Sequence, residues 1–157
     1  MHKLKRPSPP NCLSKYRHGR DNWSLVTIED KKGIWVQLHA MQGNLCAYCE
    51  SPLLTQNGQR DAHIEHFRQK GKDPRVTFEW DNLFGSCNRK ISCGRHKDAH
   101  PAYDPALPIK MDEEDPITFS SLSAMAPSPS TTNSLNQKKN GLRVPWPSLT
   151  LTQNMVH

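Results

Sequence analysis

Ala62-His63-Ile64-Glu65-His66-Phe67 is the stretch on which the reading of this chain turns, with Cys46-Ala47-Tyr48-Cys49 before it and Cys87 and Cys93 after it. Successive side chains on a strand point to opposite faces, so a strand here puts His63 and Glu65 on one side and Ile64 and His66 on the other. The pairing of Glu with His suits metal-assisted hydrolysis. A carboxylate ligates a hard cation, and an imidazole with an ordinary pKa of about 6.5 takes a proton from water near neutral pH. A single His is more commonly a surface or core residue than a catalyst. The zinc-type cysteine pairs around this one give it weight.

Those pairs are Cys46-x2-Cys49 and Cys87-x5-Cys93. Zn²⁺ takes four tetrahedral ligands, and two short cysteine loops brought together supply them. No apolar run opens the chain, which disfavours secretion and disulfides and points to a metal and a cytoplasmic location. The competing reading of Cys87 and Cys93 is burial as small apolar residues. Cys12 stands apart as a spare thiol.

Further out, the 157 residues suffice for one domain, and 34% hydrophobic content falls below the roughly 45–50% of ordinary globular chains. A small core of this kind calls for a staple besides apolar burial. Lys and Arg number 21 against 15 Asp and Glu, a net charge of +6, which suits a polyphosphate partner. Residues 1–22 read as a basic, Pro-rich arm, with Lys3–Pro10 extended and either solvated or lying on nucleic acid. Residues 23–42 read as one helix, with Trp35, Leu38 and Met41 near one face and Gly43-Asn44 ending it. A cysteine knuckle follows, then a hairpin turn at Asn57-Gly58 with Ala62–Phe67 as its return strand. Asp81-Asn82 is expected to cap a helical segment bearing the second cysteine pair. Tyr16, Trp23, Trp35 and Tyr48 are expected mainly in packing, with base stacking as the alternative. The acidic residues all lie between Asp21 and Asp115. Residues 116–157 therefore form a separate, low-complexity tail, poorly ordered by composition. Freely chosen codons in a shifted frame from Ala124 onward yield strings such as Leu-Ser-Glu-Pro-Glu-Lys-Glu-Arg-Leu. The tail reads either as genuine or as a frameshifted end.

Together Cys46-x2-Cys49, Glu65-His66-Phe67, Asn82-Leu83, Cys87 and Cys93-Gly-Arg-His-Lys97 resemble an HNH endonuclease. With the Arg6-Pro7 start, Cys-Ala-Tyr-Cys-Glu, His-Ile-Glu-His-Phe-Arg and Trp-Asp-Asn-Leu, they resemble more narrowly the PtuB-type HNH effectors of Septu and retron-associated anti-phage defence. The likeness covers about residues 1–110. It implies an α+β fold, a small zinc-stapled ββα-metal (His-Me finger) core with flanking helices, over residues 23–115. It implies His66 as general base, Glu65 as acidic ligand of a catalytic Mg²⁺ or similar ion, and Asn82 as the residue positioning the loop. Cys46, Cys49, Cys87 and Cys93 become the structural zinc ligands. The implied products are a 5′-phosphate and a 3′-hydroxyl. The implied partners are nucleic acid (DNA ahead of RNA), a PtuA-type ATPase and, for retron-associated members, a reverse transcriptase/msDNA assembly.

Two departures stand out. The second cysteine pair is spaced by five residues where the family pattern has two, and Gly94 fills the position of the last His. His96 is the preferred third metal ligand, with Asn88 as the alternative. His63 either orients Glu65 through a hydrogen bond or ligates the metal itself. Outside the resemblance, a zinc-stabilised nucleic-acid-binding module or an assembly subunit without catalysis is the alternative function.

Overall fold

The computed structural model describes residues 3–100, 104 and 109–115. The tail expected over 116–157 lies outside the described residues. Over the described residues the chain is a small α+β fold in which two α-helices accompany a two-stranded antiparallel sheet. Helix α1 is Ile28–Gln42, strand β1 is Ala62–His66, strand β2 is Leu83–Cys87 and helix α2 is Cys93–Ala99.

Helix α1 does not begin at residue 23 as expected. Asn22 caps a single 3₁₀ turn over Trp23–Leu25, accepting from the Ser24 N–H at 3.0 Å, and Val26 is extended. Thr27 then starts the helix as a capping residue. Its Oγ1 accepts from the Asp30 N–H at 3.1 Å and donates to the Asp30 carboxylate at 2.8 Å, while Lys15 Nζ and the Tyr16 hydroxyl hold the same carboxylate. Ile34, Leu38 and Met41 fall on the buried face. Gly43, at φ +60°, ends the helix in the left-handed conformation that costs glycine least, as expected.

The sheet corrects the expected order of elements. The Asn57-Gly58 turn forms, but the segment before it touches the return chain only through the bridge Leu54↔Arg60. The partner of β1 is β2, in a register running from Ala62↔Cys87 to His66↔Leu83. Asn82 accordingly starts no helix. It ends a 3₁₀ turn, Trp80–Asn82, and the chain runs straight into β2. Complete burial of Leu83 and Phe84, the latter a β-favouring aromatic, outweighs the capping signal of Asp81-Asn82. Cys87 thus closes a strand, and only Cys93 opens a helix. Gln42 of α1 ties the helix to the sheet: its Oε1 accepts from the Gly85 N–H at 2.8 Å and its Nε2 donates to the Gly85 carbonyl at 3.0 Å.

The basic start is not a free arm. Leu4 is buried and its N–H donates to the Met111 carbonyl at 2.8 Å. The Arg6 guanidinium pairs with Asp112 at 2.6 Å and donates to the Trp80, Asp81 and Leu83 carbonyls, stacked against the Trp80 and Phe84 rings. Tyr16 stacks on Phe78 with centroids 5.3 Å apart, and Trp35 lies 3.9 Å under the Arg60 guanidinium. Both aromatics are engaged within the fold, as expected. Among the described residues no helix is long and apolar enough to cross a membrane.

Candidate functional site

Two centres flank the sheet. At the first, the thiols of Cys46, Cys49, Cys87 and Cys93 lie within 4.8 Å of one another. Tetrahedral zinc with Zn–S bonds of about 2.3 Å places sulfurs about 3.8 Å apart, and Cys49 and Cys87 are separated by 3.9 Å. The donor set fits a structural Zn²⁺. The five-residue spacer of the second pair is the turn between β2 and α2. Cys93 enters α2 with φ +62°, a left-handed entry that aims its thiol back at the other three. Packed this closely, the thiols perturb one another. The Cys46 contact and then that of Cys93 hold Cys49 well below the usual thiol range, while contacts with Cys46 and Cys49 push Cys93 up. Among the described residues, these thiols form the one such group of His, Cys, Asp or Glu donors.

The second centre is built on β1. His63 and Glu65 share a face, with His63 Nε2 at 3.1 Å from Glu65 Oε2. His63 Nδ1 meets Asn88 Oδ1 at 3.1 Å, and Asn88 also bonds Arg95 and Asp61. Glu65 is 2% exposed, and its other oxygen, Oε1, pairs with the equally buried Lys97 ammonium at 2.8 Å. Lys97 Nζ also meets Asp98 at 2.6 Å and donates to the His66 carbonyl at 3.1 Å. Gly94 explains itself in this setting: a Cβ there would collide with the Glu65 carboxylate, which is pinned at both oxygens. A His at position 94 and this placement of Glu65 exclude each other.

His66 points to the opposite face of the strand. Its ring meets Trp23 edge-on at 4.5 Å, and its Nε2 lies 3.1 Å from the Thr77 carbonyl. A carbonyl only accepts, so Nε2 carries the proton and Nδ1 keeps the lone pair. Burial foremost, and the nearby Lys70 charge next, lower its pKa to about 4. The imidazole is neutral at pH 7. Asn82 clasps the loop between the strands: Oδ1 accepts from the Arg68 N–H at 2.7 Å, and Nδ2 donates to the Arg68 and Val76 carbonyls at 3.1 and 3.0 Å.

His96 lies on α2 with its ring 6.5 Å from that of His100. For a divalent ion, His63 Nε2 and Glu65 Oε2 are the donors brought together. Their 3.1 Å separation matches the roughly 3 Å between adjacent ligands of an octahedral ion bound at about 2.1 Å. The same contact is that of a hydrogen bond between ring and carboxylate, and an ion there would take its other ligands from water or substrate.

The chain is distantly similar to the Septu protein PtuB of Bacillus thuringiensis. The two are 29% identical over 103 residues, covering 62% of this chain and 37% of the relative. The chain thus spans well under half the length of the PtuB it matches. No family model matches, and no solved structure matches. The PtuB likeness agrees with the resemblance read from the motifs, and the residue to which the sequence gives no role is Lys97. It was legible from helical periodicity, since it lies four residues after Cys93 and so shares that cysteine's inward face.

Proposed function

We propose that the chain is a nuclease effector of anti-phage defence, hydrolysing phosphodiester bonds with His66 as general base. The observation that carries this reading is the state of His66: buried, neutral, and held by the Thr77 carbonyl in the tautomer that leaves Nδ1 free to accept a proton. Water attacks phosphorus, its proton passes to Nδ1, the bond to the 3′-oxygen breaks, and that oxygen takes a proton from solvent water, leaving a 5′-phosphate and a 3′-hydroxyl. Asn82 fixes the loop that presents the Thr77 carbonyl, so it positions the base without touching substrate. Glu65 and His63 would hold a divalent ion that supplies Lewis-acid stabilisation of developing charge, on the face of β1 opposite His66. The 3.1 Å approach of these two supports His63 over His96 as companion of Glu65. Arg68, Lys70, Lys72 and Arg75 follow His66 on an exposed segment, where they suit sequence-independent phosphate contacts. The PtuB likeness supports a Septu setting with a PtuA-type ATPase as partner.

The test is Mg²⁺-dependent cleavage of plasmid DNA and total cellular RNA, with and without that ATPase. The zinc-loaded wild type should cut, DNA ahead of RNA, and His66→Ala should lower the rate by about 10²–10⁴-fold. Undiminished cutting by His66→Ala would remove His66 as the base. Nucleic-acid binding without any cutting would make the protein a zinc-stabilised binding or assembly subunit.

A further inference from the structure

Zinc knuckles commonly close with about two to four residues between paired cysteines. Cys87 and Cys93 have five between them, Asn88-Arg89-Lys90-Ile91-Ser92. The chain turns at Lys90 and Ile91, and Arg89, Lys90 and Ile91 are all exposed, Ile91 at 74%. Isolated apolar side chains on a surface are common. This one stands beside cations on a turn that is held at both ends. Cys87 and Cys93 fix it at the thiol cluster, and Asn88 bonds His63, Asp61 and Arg95. Among the described residues neither Arg89 nor Lys90 forms an ion pair, so both charges remain available to a partner.

We propose that this turn binds duplex DNA, with Ile91 wedged between base pairs and Arg89, Lys90 and Arg95 on the flanking phosphates. This deepens the proposed nuclease reading, on which it rests, by naming the substrate as double-stranded DNA. An aliphatic side chain inserted at a base step unstacks it and kinks the duplex, while neighbouring cations hold the backbone. Other partners want other surfaces. Single strands and RNA loops are gripped by aromatic stacking, and this turn carries no aromatic residue. A protein or membrane partner calls for a broad apolar patch, whereas this tip offers one isoleucine beside two cations. Ile91 follows Asn88 by three residues, at most about 11 Å of chain, and Asn88 touches His63. At about 3.4 Å per base step, the wedge enters within about three steps of the Glu65–His63 pair. Unstacking there loosens the backbone where the phosphodiester must enter the site.

The test is equilibrium binding of full-length, zinc-loaded protein, read by fluorescence anisotropy with Mg²⁺ withheld so that the DNA stays whole. The probes are a fully paired duplex and the same duplex with one central mismatch, whose step is already partly unstacked. Wild type should bind the mismatched duplex at least about tenfold more tightly, since the wedge then has less unstacking to do. Ile91→Ala should lose that preference. It should also lose the bend, read as energy transfer between dyes at the two ends of the paired duplex. Arg89→Gln/Lys90→Gln should instead weaken binding to both duplexes alike and lower the slope of log affinity against log salt by about 1.8. Equal wild-type affinity for the two duplexes would overturn the proposal, as would a preference or bend that survives in Ile91→Ala. So would an unchanged salt slope in the double variant. Tighter binding to single-stranded DNA, duplex RNA or phosphatidylserine vesicles than to paired DNA would also overturn it. The substituted side chains are exposed, and zinc content checks that each variant has folded. Because the readout is binding, failure here leaves the His66 cleavage test standing, and failure of that test is seen separately in the cutting assay.

Discussion

His66 shows how an ordinary imidazole becomes a specialised one through its surroundings. Burial and the Lys70 charge lower its pKa from 6.5 to about 4, so the unfolded chain takes up a proton well before the native one does. The stability this contributes is present above pH 6.5 and drains away as pH falls toward 4. The complete loss is on the order of 3 kcal/mol. In urea melts the wild type should lose about 1 kcal/mol more than His66→Gln between pH 7 and pH 5.5. Parallel curves for the two proteins would mean that the ring is more accessible than its packing against Trp23 implies. The strand periodicity made legible which residues share a face, and His63 and Glu65 do share one. It did not make legible the third party, because Lys97 comes from a separate helix and its charge advertises a surface residue. Buried cations of this sort are invisible to composition. They announce themselves only once a helix start is located, and here that start lies at Cys93, in a backbone conformation unusual for cysteine.

Among the elements, the two misreadings share a cause. Apolar spacing after residue 22 and the capping chemistry of Asn82 each suggest a helix start that the fold does not use. In the fold, Thr27 and not Trp23 begins α1, since Thr27 and Asp30 satisfy each other across the first turn. Asn82 does cap something, but the thing capped is a loop. Its side chain takes three backbone partners from the segment joining β1 to β2, including the carbonyl of Val76, next to the Thr77 that holds His66. Asn82→Ala should therefore leave those groups unsatisfied and destabilise the protein by about 2–3 kcal/mol. Amide exchange over residues 67–77 should speed up before that of α1 does. Uniform acceleration across the whole chain would show that the asparagine supports the core and not the loop. The pairing of β1 with β2 was not legible either, because the sixteen intervening residues, 67–82, conceal an antiparallel partner that no turn signal announces.

At the scale of the molecule, the modest apolar content foretold a staple, and four converging thiols supply the place for one. Cys46→Ser/Cys49→Ser should take bound zinc from one equivalent to none. It should also abolish the cooperative melt, since structural zinc contributes roughly 10–16 kcal/mol at neutral pH. Chelation strong enough to strip zinc should do the same to the wild type, while withdrawal of Mg²⁺ should leave its melting curve in place. Retention of zinc by the double variant would remove these cysteines as its ligands. What composition could not foretell is the use made of the basic start. Arg6 looked like one more charge for a nucleic acid, yet it is spent on three carbonyls and Asp112 within the fold. Its neighbour Leu4 bonds to Met111, so the described body is closed on itself, with its first and last stretches side by side. The first and last described stretches share one anchorage, and strain on either is felt by the other. Loosening Leu4 or Met111 would therefore unseat both stretches together, so the two centres lying between them depend on a single clasp.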